Sequence, residues 1–98
     1  MRARLLFDRR VAVSDTAFAE LVLWELPQPA RGSAYGYKYR LAFISRGVCV
    51  LRYDNEAGKG DHVHIGDRER AYRFVDSDRL VADFFAEMRR WLDENRDA

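Results

Sequence analysis

The stretch Gly36-Tyr37-Lys38-Tyr39-Arg40-Leu41-Ala42-Phe43-Ile44-Ser45-Arg46-Gly47-Val48-Cys49-Val50-Leu51-Arg52-Tyr53-Asp54-Asn55 reads as a β-hairpin, and that reading decides the fold. Two apolar-rich runs meet at Arg46-Gly47, where Gly47 supplies the positive φ of a two-residue turn and Arg46 suits it less well than Asn or Asp. With that turn Ser45 opposes Val48. Counting outward then pairs Ile44 with Cys49, Ala42 with Leu51, Arg40 with Tyr53 and Lys38 with Asn55. Side chains alternate across a sheet, so this register predicts Lys38, Arg40, Tyr53 and Asn55 on one face and Tyr39, Leu41, Arg52 and Asp54 on the other. A slip of one residue exchanges the two faces.

Upstream, Arg4 to Val13 and Ala17 to Leu26 read as two strands joined near Ser14-Asp15-Thr16. Phe18, Val22 and Trp24 share one period-two face, and Leu21 and Leu23 the other. Pro27-Gln28-Pro29 ends the second strand, because proline has no N–H for the ladder, and Arg31 to Gly36 is a loop. Downstream, Glu56 to Asp61 is a loop with Gly58 and Gly60 flanking Lys59. A short strand is expected around His62 to Ile65 and another at Ala71 to Val75. The last element is a helix over Ser77 to Glu94, with Leu80, Val81, Phe84, Phe85, Met88, Trp91 and Leu92 in one apolar stripe that makes a core face. Asp76 or Ser77 caps its start, and Asp78 suits the positive end of its dipole. The predicted architecture is α+β: an antiparallel sheet of about five strands packed by one C-terminal amphipathic helix.

Ninety-eight residues predict a single domain, 1–98, built on one core. Hydrophobic residues at 48% and charged residues at 34% argue against disorder. The single cysteine, Cys49, makes no internal bridge and reads as a small apolar side chain on a strand. Asp8-Arg9-Arg10 interrupts any signal-peptide core, and no apolar run approaches the roughly 20 residues of a membrane span. A soluble, cytoplasmic protein without membrane contact is therefore expected. Net charge is +1 but unevenly spread: between Glu25 and Asp54 there is no acid, while Arg31, Lys38, Arg40, Arg46 and Arg52 lie inside. Such a stretch suits an anionic partner such as a phosphate backbone, or a solvated sheet face.

His62 and His64 are the sharpest chemical feature. Two residues apart on a strand, they share a face with Cα atoms roughly 6.5–7 Å apart. Two imidazoles straddling an anion can act as general base and general acid, and cleavage of a phosphodiester by its own 2′-hydroxyl needs such a pair together with cations. Arg40, Arg52 and Lys59 are the candidate cations, with Arg40 and Arg52 grouped with the histidines as catalytic. Lys38, Tyr53, Asn55 and Lys59 are the candidate nucleic-acid-binding residues, and Tyr35, Tyr37, Tyr39 and Tyr53 offer rings on which bases can stack. A metal site is the second reading. It needs a third donor, open among Asp54, Asp67 and Glu56, so the leading reading carries neither metal nor cofactor. Gly58-Lys59-Gly60 lacks the Walker pattern and its following helix, and there is no Gly-x-Ser-x-Gly, Cys-x-x-Cys or dinucleotide fingerprint.

Gly36 to Ala42, the run Arg52-Tyr53-Asp54-Asn55-Glu56-Ala57-Gly58-Lys59-Gly60-Asp61-His62-Val63-His64 and the terminal helix together resemble the TumE-like family, the toxin-type members of bacterial toxin–antitoxin gene pairs. The similarity runs from Leu5 to about Trp91 and includes Glu20-Leu21-Val22-Leu23-Trp24 and Pro27-Gln28-Pro29. Its most specific parts are Arg52-Tyr53-Asp54-Asn55 and His62-Val63-His64. Many members carry a proline-histidine pair soon after the Asp-Asn, which Glu56-Ala57-Gly58-Lys59-Gly60 replaces here. The resemblance implies a small cytoplasmic bacterial protein encoded beside a helix-turn-helix partner that acts as antitoxin or regulator.

The residues and the resemblance together lead to one expectation: a toxin-like component acting on RNA as a metal-independent ribonuclease, with His62 and His64 as the acid–base pair. The rival expectation is a non-enzymatic interaction module that docks the helix-turn-helix partner or self-associates as a homodimer, since exposed Tyr and Arg also favour interfaces.

Overall fold

The computed structural model describes residues 3–27, 36–55 and 60–95. Six strands, β1 (Arg4–Ser14), β2 (Ala17–Glu25), β3 (Tyr37–Ser45), β4 (Val48–Asp54), β5 (His62–Ile65) and β6 (Arg68–Ala71), form one antiparallel sheet in sequence order. The helix α1 (Ser77–Glu94) lies across one face, over β3 and β4. The α+β architecture is as the sequence predicts, and so are the bounds of the helix. Asp76 caps it by accepting from the Arg79 N–H at 2.7 Å, and Asn95 closes its other end through Leu92 and Trp91 carbonyls.

The helix stripe meets the residues that the sheet turns towards it. Leu21, Leu23, Leu41, Phe43, Leu51, Tyr53 and Val63 are buried with Leu80 and Phe84. Phe43 packs edge-on against Trp91, and Tyr53 does so against both Tyr72 and Phe84. Among the described residues the other face carries no helix, as antiparallel sheets permit. Among the described residues no helix is long and apolar enough to cross a membrane.

Two details depart from the sequence reading. The sheet has six strands rather than about five, and the last is Arg68–Ala71, not Ala71 to Val75. Gly66, at φ 62°, starts a two-residue turn with Asp67, so β5 folds back at once with Ile65 opposite Arg68. The returning strand, Arg-Glu-Arg-Ala, is an exposed edge with no apolar alternation to betray it. Beyond it Phe74 enters the core and packs against Tyr37 and Tyr39.

The second departure is the hairpin register. Arg46 and Gly47 both adopt positive φ, 52° and 80°, and Ser45–Val48 and Ile44–Cys49 pair as counted. Thereafter Phe43 faces Leu51, Ala42 faces Arg52, Leu41 faces Tyr53 and Arg40 faces Asp54. Val50 is the extra residue of a β-bulge, and it reverses the predicted faces. The physical reason lies in the two halves of the hairpin. Without the bulge, Tyr39, Leu41 and Phe43 would share the helix face with Arg52 and Asp54. Burying those charges would cost several kcal/mol, whereas burying Leu51 and Tyr53 contributes about 1.5–3 kcal/mol each.

Candidate functional site

On the face without the helix, β3 to β6 set side chains in two adjacent rows. One row is Arg40, Asp54, His62 and Ala71; the next is Ala42, Arg52, His64 and Glu69. Directly opposed residues of antiparallel strands point the same way, so both rows share one surface.

The centre of this surface is a linked set of ionisable groups. Asp54 Oδ2 lies 2.8 Å from Arg52 Nε, and its Oδ1 lies 2.5 Å from His62 Nε2. His62 Nδ1 is 3.0 Å from the Gly60 carbonyl oxygen, and His64 Nδ1 is 3.5 Å from Glu69 Oε2. The two imidazole rings meet edge to face with centroids 4.7 Å apart. Side-chain exposure is 5% for His62, 14% for Asp54, 26% for His64 and 32% for Arg52, so solvent reaches the cluster from the His64 and Arg52 side.

Several of these polar atoms are poorly satisfied. Arg52 Nε and Asp54 Oδ1 are buried and close to their partners, yet not aligned as hydrogen bonds; His64 Nε2 is buried with no partner at all. Most buried polar groups in folded proteins are paired, and among these three atoms His64 Nε2 alone has no ion-pair partner either. One ligating atom from each of Asp54, His62 and His64 lies within 4.8 Å of the others.

The expected site residues therefore divide. His62, His64, Arg40, Arg52 and Lys38 share the open face. Tyr53 and Asn55 do not, contrary to the register counted from the turn. Tyr53 is 1% exposed beneath α1, its hydroxyl donating to the Asp83 carbonyl at 3.4 Å. Asn55 is 2% exposed and finishes the ladder where β3 and β4 part: its Oδ1 accepts from the Tyr39 N–H and its Nδ2 donates to the Tyr37 carbonyl. Lys59, Glu56 and Tyr35 lie outside the described residues.

A second group of tyrosines braces the site from the helix side. The Tyr39 hydroxyl donates to Asp61 at 2.6 Å, holding the residue just before His62. Burial, then Asp61, push the Tyr39 phenol far above its ordinary range. Burial also raises Tyr53 to about 12, with the nearby Glu87 carboxylate adding to the shift. Tyr72 is raised by burial and by its 2.7 Å hydrogen bond to Asp83.

Glu69 was not singled out by sequence reasoning, and Asp54 only as one of three possible metal donors. The signal for Glu69 was available in Gly66-Asp67, a two-residue turn type whose recognition pairs His64 with Glu69 and lengthens the sheet past the histidines.

Neither curated proteins nor solved structures yield a match to this chain. A family model described as Toxin TumE matches residues 2–92. That span takes in every strand and nearly all of the helix, including the rows that carry the two histidines. The chain belongs to the toxin TumE family.

Proposed function

We propose that this toxin-family chain acts on RNA, cleaving a phosphodiester with the groups on the open face. The observation that carries the reading is the pair of adjacent imidazoles next to Arg52, with His64 Nε2 free of any hydrogen-bond partner. His64, its ring turning to bring the buried Nε2 to the open face, takes the proton of a ribose 2′-hydroxyl as the 2′-oxygen attacks phosphorus. The bond from phosphorus to the 5′-oxygen breaks, and His62 Nε2 protonates the leaving oxygen. The products are a 2′,3′-cyclic phosphate and a 5′-hydroxyl end. Arg52 and Arg40 neutralise charge developing on the phosphoryl oxygens, and Lys38 and Lys59 attract the backbone by their charge. The protein works in the cytoplasm, held in check by a helix-turn-helix antitoxin.

The test is induced expression of the wild-type protein and the His62→Ala/His64→Ala variant, with growth and RNA ends followed together. Arrest and cyclic-phosphate ends with the wild type alone support the reading. Equal arrest by both proteins removes the catalytic assignment.

A docking role has its own supporting observation: Leu5 and Trp24, opposed on β1 and β2, are both exposed on the open face beside Lys38. In that reading the antitoxin, or a second copy, covers this face. Substituting Arg40 and Arg52 while measuring antitoxin and RNA affinities separately distinguishes the two, because a fall in antitoxin affinity alone favours docking.

A further inference from the structure

The geometry points to a divalent transition-metal site formed by Asp54, His62 and His64. Three observations converge on it. The three side chains come from directly paired strands and each offers a ligating atom within 4.8 Å of the others. Asp54 Oδ1 and His64 Nε2 are buried without aligned hydrogen bonds. The third observation is the outer support of the rings. His62 turns Nδ1 to the Gly60 carbonyl and His64 turns Nδ1 towards Glu69. Histidine ligands are characteristically held in this way, through the other ring nitrogen, by a backbone carbonyl or a carboxylate.

Two imidazoles and one carboxylate suit zinc or a neighbouring first-row ion better than magnesium or calcium, which prefer oxygen donors throughout. Metal bonds of about 2.0–2.2 Å place neighbouring ligand atoms roughly 3.3–3.6 Å apart in tetrahedral geometry. The 2.5 Å approach of Asp54 to His62 must therefore open by roughly 1 Å on binding. His64, the more exposed ring, moves in from the solvent side. Arg52 holds the second oxygen of Asp54, orienting the carboxylate while its positive charge limits affinity. With three protein donors, a tetrahedral ion keeps a fourth position for water.

This inference goes beyond the proposed RNA cleavage and bears on it in one respect. An ion held by both imidazoles occupies the lone pairs that proton transfer would use, so a bound metal silences acid–base cleavage.

The experiment is calorimetric titration of zinc chloride into chelator-stripped, untagged full-length protein, without RNA, followed by cobalt(II) absorption to report the ligand set. A one-to-one isotherm is expected, with affinity lowered at least 100-fold by His64→Ala and by Asp54→Asn. Glu69→Gln, on the exposed edge strand, lowers it about 10–100-fold while leaving the fold intact. Asp67→Asn, in the neighbouring turn, leaves it unchanged. Circular dichroism confirms folding of each variant. No one-to-one binding by the wild type, or binding that survives both Glu69→Gln and His64→Ala, overturns the site. Because the titration contains no RNA and cleavage is assayed separately on metal-free protein, a chain that binds zinc but cleaves nothing when stripped of metal keeps this inference and loses the proposed function, and the opposite result does the reverse.

Discussion

Asp54 on β4 and His62 on β5 are directly opposed residues whose side chains approach to 2.5 Å, while the other Asp54 oxygen reaches Arg52 at 2.8 Å. This single carboxylate joins a buried imidazole to a half-buried guanidinium.

Replacing Asp54 by Asn should consequently disturb stability and function together. The change keeps the shape but removes the charge that offsets Arg52, at a cost of about 1–3 kcal/mol. Urea denaturation should show this as a lower midpoint at unchanged slope. Under the proposed chemistry RNA cleavage should also fall by about 10²-fold or more, because His62 is no longer held.

Val50 offers a test of the register. Its deletion removes the extra residue of the bulge and still leaves Phe43 opposite Leu51 and Arg40 opposite Asp54. The shortened protein should remain folded, losing about 1–3 kcal/mol through the missing half-buried side chain. Cross-strand nuclear Overhauser contacts between Leu41 and Tyr53 should persist. Their replacement by Arg40–Tyr53 contacts would show that the hairpin had taken the other register.

Asn55 stands in for a ladder residue, bonding two main-chain groups of β3. Asn55→Ala leaves the buried Tyr39 N–H and the Tyr37 carbonyl without these partners and should cost about 2–4 kcal/mol. Asn55→Asp should also destabilise, since a carboxylate cannot donate to the Tyr37 carbonyl. Thermal unfolding of the two variants checks this, and stability should fall whether or not RNA binding is affected.

Alkaline pH should expose the buried phenols. Tyr53 is raised from 10.0 to about 12 in the folded protein, chiefly by burial. Its contribution is fully present below about pH 10 and is lost as pH rises through about 12, because the unfolded chain releases the proton first. Tyr53→Phe should therefore flatten part of the fall in stability between pH 10 and 12, with Tyr39 and Tyr72 supplying the remainder. At neutral pH the same change should cost under about 1 kcal/mol, since the hydroxyl bond is long at 3.4 Å. Denaturation midpoints at pH 8 and pH 11 separate the two effects.

Local sequence rules were enough for much of this molecule. The apolar stripe from Leu80 to Leu92 with Asp76 at its head specifies the helix, because three- and four-residue spacing and a capping side chain act within a few turns of chain. Arg46-Gly47 specifies the turn, and His62-Val63-His64 specifies two rings on one side of a strand, since side-chain alternation is a local property. What lay beyond local rules was which groups join those rings. Val48 to Leu51 is an unbroken apolar run, so nothing within it marks where one residue becomes surplus. Packing beneath α1 made that choice: Leu51 and Tyr53 went into the core, and Arg52 and Asp54 were left on the open face with both histidines. Competition for burial between whole faces of a sheet is a nonlocal balance, and here it selected the neighbours of the imidazoles.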